Sequence, residues 1–402
     1  MSSKSKIQTQ IPPKEKMRAL IKMFRERKFQ LILDNIEKLR EQFPLSLQLK
    51  NLEGAVYGEQ RQFMRASHIF REILQLNPSD PNAHNNLGHA QRSIGDSVSA
   101  IEHFTKAIEL EPRFAEAYNN LGCALRERKD YNAAISSLKK AIEINPRYAE
   151  AYNNLGAAYG EINDTNASIE CYQKALHINP DYGAPKHMLS ALTGVQTSAA
   201  PREYVEALFD AYAENFEKSL VDDLEYKIPE TLVKIMIENQ SDSSLGSILD
   251  LGCGTGLVGD AANEFSTKII GLDLSNAMLE KADQKAIYDE LVNIDIIDYL
   301  GSVDLDFDYF IASDVFIYIG SLTATFELIK SRNKRNGKLA FSTEHIDKGD
   351  LFLAPSGRYS HSKPYIEGLC KKFGYELTFF KETPLRKGKG DVIPGALYLL
   401  EF

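Results

Sequence analysis

Residues 248–259 read ILDLGCGTGLVG. The apolar run that closes on Asp250 and Leu251 has the character of a buried strand, and glycines 252, 254 and 256 then open a helix. A strand, a glycine loop and a helix form the turn at which open α/β sheets receive a nucleotide. Residues 254–259 also spell G-x-G-x-x-G, a pattern usually read as a dinucleotide loop. Asp250 does not suit that reading, because a phosphate-binding loop has no use for a carboxylate two residues before its first glycine.

Working outward, the spacing predicts strands at 247–251, 267–274, 292–297, 307–313 and 338–344. Helical segments at 257–265, 276–289, 321–333 and 363–373 separate them, and 375–383 with 396–402 read as a closing antiparallel pair. Such alternation predicts βαβ units on a parallel sheet of seven strands.

The first half has a different period. Pro44, Pro78, Pro112, Pro146 and Pro180 stand 34 residues apart, and NNLG recurs at 85–88, 119–122 and 153–156. A small residue (Ala100, Ala134, Ser168), a bulky one (Phe104, Leu138, Tyr172) and an alanine (Ala107, Ala141, Ala175) follow at the same step. Glycine and alanine suit two antiparallel helices in close contact, the bulky residue suits the gap to the next repeat, and proline stops the second helix. Units of this kind stack because none buries its apolar face alone. The pattern resembles tetratricopeptide repeats over about 12–190, with about five repeats, the segment 12–44 fitting only loosely. Residues 1–11 read as a flexible N-terminus, 191–203 as a linker and 204–402 as the second domain. By that resemblance Asn86, Asn120 and Asn154 line a concave groove where side-chain amides hold a peptide partner; bonding within the array is the alternative. The five repeat histidines (68, 84, 89, 103, 177) lack metal-ligand spacing and are expected at the surface or groove.

Composition excludes several classes. A net charge of −9 argues against general nucleic-acid binding, and the short basic run Arg386-Lys387-Gly388-Lys389 reads as a solvated loop. The four cysteines are scattered, so neither a zinc site nor a disulfide framework is expected, and free thiols fit the cytoplasm. No run reaches the roughly 18 apolar residues of a membrane span.

The glycine loop has two candidate occupants. A pyrophosphate over the helix start would be repelled by Asp250, by several kcal/mol on an order-of-magnitude view. S-adenosylmethionine has no phosphate and carries an ammonium and a sulfonium, so a carboxylate suits it. Asp273, 21 residues after Gly252, suits ribose hydroxyls in either case. On this reading Gly252, Gly254 and Gly256 are the working glycines and Gly259 is incidental.

ILDLGCGTG followed by GLDLS resembles the first two motifs of class I S-adenosylmethionine-dependent methyltransferases, over about 204–402. The expected architecture is therefore a tetratricopeptide superhelix followed by a Rossmann-like seven-stranded methyltransferase domain. The resemblance implies that Asp250, Gly252, Cys253, Gly254, Gly256, Asp273 and Leu274 contact the cofactor. It also implies that Met278 and Ile296 pack on its adenine, Asp295 accepts the adenine amino group, and Ser313 with Asp314 closes the methionine side. FDAYAENFEKSL, from residue 209, is similar to the cap helix of small-molecule methyltransferases, with Tyr212 and Phe216 over the cofactor. No N-P-P-Y-type run follows the fourth strand, which argues against the adenine-N6 and protein-glutamine branches.

Methyl transfer needs positioning and water exclusion, and a base only where the acceptor arrives protonated. The acceptor side offers Asp314, Tyr318, Glu344, His345 and the loop 352–364, FLAPSGRYSHSKP. There His361 is the candidate general base, Arg358 the candidate clamp for a carboxylate or phosphate, and Tyr359 stands between them. The expected function is methylation of a small-molecule or carrier-borne acceptor, with the repeats binding a protein partner. The alternatives are a protein methyltransferase fed by the repeat groove, and a scaffold with an inactive cofactor-binding domain.

Overall fold

The computed structural model describes residues 11–214, 216–218, 225–240, 244–387 and 392–402. Outside these lie nearly all of the expected flexible N-terminus, part of the cap segment (215, 219, 220) and residues 388–389 of the basic run. The chain divides into two compact units, Met1–Pro180 and Asp181–Phe402.

Among the described residues the first unit is five helix pairs: α1 Lys14–Arg25 with α2 Phe29–Arg40, α3 Leu47–Glu59 with α4 Phe63–Leu76, α5 Pro81–Ser93 with α6 Ser97–Leu110, α7 Ala115–Glu127 with α8 Tyr131–Ile144, and α9 Ala149–Glu161 with α10 Thr165–Ile178. Every pair turns on a residue with left-handed backbone: Arg27, Arg61, Gly95, Lys129 and Asn163, with φ between +53° and +84°. These positions keep the 34-residue step into the loosely fitting first repeat, so α1 and α2 are joined like the others. Asp96, Asp130 and Asp164 cap the second helix by accepting the N–H three residues on.

The repeat glycine and the bulky residue are partners within one repeat. A Cβ on Gly88 would stand 2.8 Å from Phe104, one on Gly122 2.5 Å from Leu138, and one on Gly156 2.8 Å from Tyr172. The bulky side chain was expected between repeats. It instead sits where its own repeat's glycine lets two helices close, and Phe104 also reaches Ala124 of the next repeat.

The second unit opens with α11 Gly183–Thr193, α12 Arg202–Tyr212 and α13 Ile228–Glu238. The sheet strands are β1 Gly246–Leu251, β2 Ser266–Asp273, β3 Glu290–Asn293, β4 Tyr309–Ala312, β5 Lys338–His345, β6 Leu351–Leu353, β7 Tyr359–His361, β8 Glu376–Lys387 and β9 Val392–Glu401. Among them lie α14 Leu257–Ala262, α15 Asn276–Gln284, α16 Ile296–Ser302, α17 Thr323–Arg332 and α18 Lys363–Phe373. The strand order is β3-β2-β1-β4-β5-β7-β6, with β9 antiparallel to both β5 and β8. All seven expected strands are present, and the short β6–β7 hairpin, in the loop expected to serve the acceptor, joins the end of β5.

Both faces of the sheet's centre are covered, so β4 and the inner stretch of β1 are buried throughout. Leu249, Leu251, Phe310, Leu339 and Phe341 pack against α16, α17 and α18 on one face. Ile248, Ile269, Ile311 and Ala340 pack against α13 and α14 on the other. The period of two places Asp250, alone among polar side chains of β1's inner stretch, on the α13–α14 face.

Residues 194–200, expected in the linker, are laid along the sheet. Gln196 accepts the Leu353 N–H at 2.8 Å, Ser198 accepts that of Ser321 at 2.8 Å, and Ala199 bridges Ile319. His187 of α11 donates to the Gly357 carbonyl at 2.8 Å. This helix, counted by spacing as the end of the array, belongs to the second unit.

Candidate functional site

The loop after β1 is built on backbone that favours glycine. Gly252, Gly254 and Gly256 have φ of +79°, +54° and +92°. A side chain on Gly252 would meet Val315 at 2.6 Å. Among the described residues one on Gly254 would meet only Phe216, at 4.0 Å, so the middle glycine presents bare backbone on that side. The Gly252 and Cys253 N–H groups both donate to the Leu272 carbonyl at 2.8 Å, which seats the loop on β2.

Two carboxylates frame the loop. Asp273, at the end of β2, accepts the Gly254 N–H at 2.9 Å through Oδ2 and the Ser275 N–H at 2.8 Å through Oδ1. The protein packed around it pushes its pKa up to about 6 despite those bonds, with Asp210 adding like charge. Asp250 is fully buried, and only its Oδ2 has a partner, the Tyr288 hydroxyl at 2.7 Å. Oδ1 has none among the described residues. Burial raises Asp250 to about 7; the Tyr288 bond opposes this and Asp273 reinforces it. Neither carboxylate forms an ion pair with a described lysine or arginine. Cys253 is buried beside them, and that burial holds its thiol well above the usual range.

Tyr288 corrects the expectation that Gly259 is incidental. Its ring lies in a slot where a Cβ on Gly259 would stand 2.7 Å away, one on Gly271 2.8 Å and one on Gly256 3.1 Å. The Gly259 N–H donates to its hydroxyl at 3.1 Å. The third glycine of the G-x-G-x-x-G pattern makes room for a tyrosine, not for a pyrophosphate.

The cap segment is held by polar ties to the end of β2 and to α15 and the residue after it. Ser275 donates to Asp210 at 2.6 Å, Lys281 pairs with Glu214 at 2.9 Å and Lys285 with Glu217 at 2.8 Å. Phe209 meets Phe216 and Tyr318 with ring centroids 6.1 and 5.3 Å apart. Phe216 faces the loop as expected, whereas Tyr212 is 54% exposed and Phe209 takes the inward place. An i, i+7 reading from Phe209 to Phe216 was the available signal.

The remaining expected cofactor contacts are dispersed in role. Asp295 was read as an adenine acceptor and Ile296 as strand. Asp295 caps α16, accepting the Ile297 N–H at 2.8 Å, and its other oxygen lies 3.0 Å from Arg202, so Ile296 begins a helix. Met278 is fully buried in α15, while Leu274 is half-buried with its carbonyl taken by Asn293 at 2.7 Å. Ser313 is hydrogen-bonded to the Tyr226 hydroxyl at 2.7 Å.

Beyond β4 and β5 lies a charge cluster. Arg386 is buried between Asp314 and Glu344, with Nη2 2.7 Å from Glu344 Oε1. This overturns the solvated-loop reading of that arginine. Asp314 holds left-handed backbone at φ +57° and accepts from Ser342 at 3.3 Å. Burial raises the pKa of both acids, and Arg386 opposes it. Arg358 lies beside the Tyr318 hydroxyl with its guanidinium 3.8 Å from Glu344, one-third exposed. Its neighbours are pinned, Gly357 by His187 and Tyr359 by Thr197. Tyr359 and His361 are completely buried, and His361 donates to the Gly320 carbonyl at 2.8 Å. Burial pushes His361 down to about 4. His361 exposes no surface and its Nε2 is committed to that carbonyl, an arrangement that suits a structural histidine better than the expected base.

In the array, Asn120 donates to Asn85 and Asn154 to Asn119, both at 3.0 Å. Asn85 and Asn119 pass donors on to Glu116 at 3.0 Å and Glu150 at 3.3 Å. Asn86 is half-buried. One N–H of Asn120 and one of Asn154 are thus given to the preceding repeat. His84, expected at the surface or groove, is buried with Nδ1 2.9 Å from Nδ1 of His103.

Among the described residues no group of three acidic, histidine or cysteine side chains is placed to hold a metal, and no helix is long and apolar enough to cross a membrane. Residues 242–373 match the model of a methyltransferase domain. Residues 81–114 and 149–182 match the tetratricopeptide repeat, and 103–136 and 122–163 match related repeat models. No curated protein matches the chain. Among solved structures it is similar to YrrB, a tetratricopeptide protein with an unusual peptide-binding site, at 19% identity over 46% of this chain and 97% of that one, TM-score 0.36. It is also similar to magnesium protoporphyrin IX methyltransferase from Synechocystis PCC 6803 with bound S-adenosylmethionine, at 17% identity over 43% and 77%, TM-score 0.34. A third is a SAM-dependent methyltransferase from Leishmania major, at 15% over 50% and 79%, TM-score 0.38.

Proposed function

We propose that this chain, which joins tetratricopeptide repeats to a methyltransferase domain, transfers a methyl group from S-adenosylmethionine to a small-molecule or carrier-borne acceptor, with the repeats capturing a protein partner in the cytoplasm. The observation that carries the cofactor is Asp250. A buried carboxylate with one oxygen lacking a partner among the described residues lies below the glycine loop, with a second raised carboxylate at the next strand end. Two poorly solvated acids repel a pyrophosphate and favour a cation. When bound, S-adenosylmethionine supplies an electrophilic methyl group on a positively charged sulfur.

The chain's own residues supply the rest. Gly254 lets backbone approach the nucleoside, Asp273 is the acceptor for ribose hydroxyls, and Phe209 and Phe216 exclude water from above. On the acceptor side Arg386 offsets Asp314 and Glu344. Arg358 then remains the guanidinium with donors to spare, suited to an acceptor carboxylate or phosphate. His361 and Tyr359 hold the hairpin that carries it. The partner reading of the repeats is supported by a cleft of about 410 Å3 on the last pair, α9 and α10, lined by Tyr152, Glu170, Lys174 and His177 among others.

Calorimetry tests the cofactor. Micromolar binding of S-adenosylmethionine and none of NADH is expected, and Asp273→Ala should weaken it by roughly 10- to 100-fold, the worth of charge-assisted hydrogen bonds. NADH binding without S-adenosylmethionine heat would sink the reading. A labelled-methyl assay on cell extract, split into protein and small-molecule pools, tests the acceptor class; label confined to protein would favour the groove-fed alternative.

A further inference from the structure

Tyr288 follows α15, and nothing in its sequence surroundings marks it. Its ring is nonetheless received by glycines from three elements: Gly256 of the loop, Gly259 of α14 and Gly271 of β2. Its hydroxyl has one hydrogen. Because the Gly259 N–H can only donate, that hydrogen is committed to Asp250 Oδ2. The bond fixes which carboxylate oxygen is used inside the fold. It leaves Oδ1, buried and without a partner among the described residues, as the oxygen available for a ligand. A phenylalanine would fill the same slot, so packing alone does not require the hydroxyl.

We infer that Tyr288 is a positioning residue for cofactor capture: it orients Asp250 beneath the glycine loop and stabilises its ionised form, so that binding of a cationic nucleoside there depends on pH through this pair. The inference rests on the cofactor reading above. The titratable groups facing Asp250 are Tyr288 itself, Cys253 of the loop and Asp273 of β2; Asp210 of α12 bears on Asp273. Among the described residues all are acids and none is a cation. A bound ammonium or sulfonium is then the charge that balances the site. Affinity should rise with pH as Asp250 ionises, a range centred at about 7 in the ligand-free protein. Losing the hydroxyl removes a bond made to the charged carboxylate, which moves that range upward.

The test uses the full chain. S-adenosylmethionine affinity is measured calorimetrically across the neutral range for the parent protein, Tyr288→Phe and Asp250→Asn, with thermal melts alongside. Tyr288→Phe should bind about tenfold more weakly at neutral pH, with its profile displaced upward, the loss of one charge-assisted bond. Asp250→Asn should flatten the profile. If the parent binds and Tyr288→Phe matches it in affinity and pH profile, the inference is overturned while the cofactor reading stands. If the parent shows no binding, the cofactor reading fails and takes this one with it. If Tyr288→Phe melts below the assay temperature, Asp250→Asn decides, and an unchanged pH profile overturns the inference.

Discussion

The Nε2 of His361 lies 2.8 Å from the carbonyl oxygen of Gly320, and this bond ties β7 to the turn after β4. With the ring fully buried, His361→Ala should lower stability by about 2–4 kcal/mol, from a cavity and an orphaned carbonyl. Its folded pKa of about 4 lies below the ordinary histidine value. The unfolded chain therefore binds the extra proton, and stability falls as pH drops from about 6.5 toward 4. Urea titrations of parent and variant across that window are the check. Equal pH slopes, or a cofactor affinity lost in proportion to stability, would count against the structural role.

Arg386 and Lys387 are adjacent in sequence and opposite in consequence. Arg386→Met should destabilise the second unit by about 3–5 kcal/mol, because two buried carboxylates lose their counter-charge. Lys387, 55% exposed and paired with exposed Glu225, should tolerate the same change within about 0.5 kcal/mol. Similar losses in both melts would place Arg386 at the surface after all.

The left-handed turns of the array hold four residues that pay a steric cost glycine does not. Lys129→Gly should raise the stability of the first unit by about 0.5–1 kcal/mol, less than the full left-handed penalty because glycine adds freedom to the unfolded chain. Gly95→Ala should lower it. Melting of both variants settles the sign.

The asparagine ladder predicts a stability effect ahead of a binding one. Asn119→Ala removes the acceptor for Asn154 and the donor to Glu150 together, and about 1–3 kcal/mol should be lost. Asn86, Asn120 and Asn154 changed together to Ala test the peptide groove, and a pull-down that loses its partner while the melt is unchanged would favour it.

What could be read from the sequence was what repeats or alternates locally. The 34-residue step, the βαβ pattern and the glycine loop each lie within a short stretch of chain, so their periods show. Arg386 was misread because its partners are 72 and 42 residues away, and only sheet topology brings β4, β5 and β8 together. Tyr288 fell within a predicted helix that ends at Gln284, and its slot is made of absent side chains from three elements. His361 was misassigned because residue type suggested a base, while burial, which decides the matter, is not written in a tripeptide. The asparagines were located correctly on their helices, but hydrogen bonds between successive repeats depend on how the repeats stack.

The strap at 194–200 has a practical corollary for anyone dividing the protein. A cut at 195, placed by counting repeats, would strip the β6–β7 hairpin of helix 183–193, whose His187 braces the Gly357 carbonyl beside Arg358. A fusion joint or expression boundary belongs near 181 instead. The helix that looks like the last rung of the repeats then travels with the sheet whose hairpin it braces.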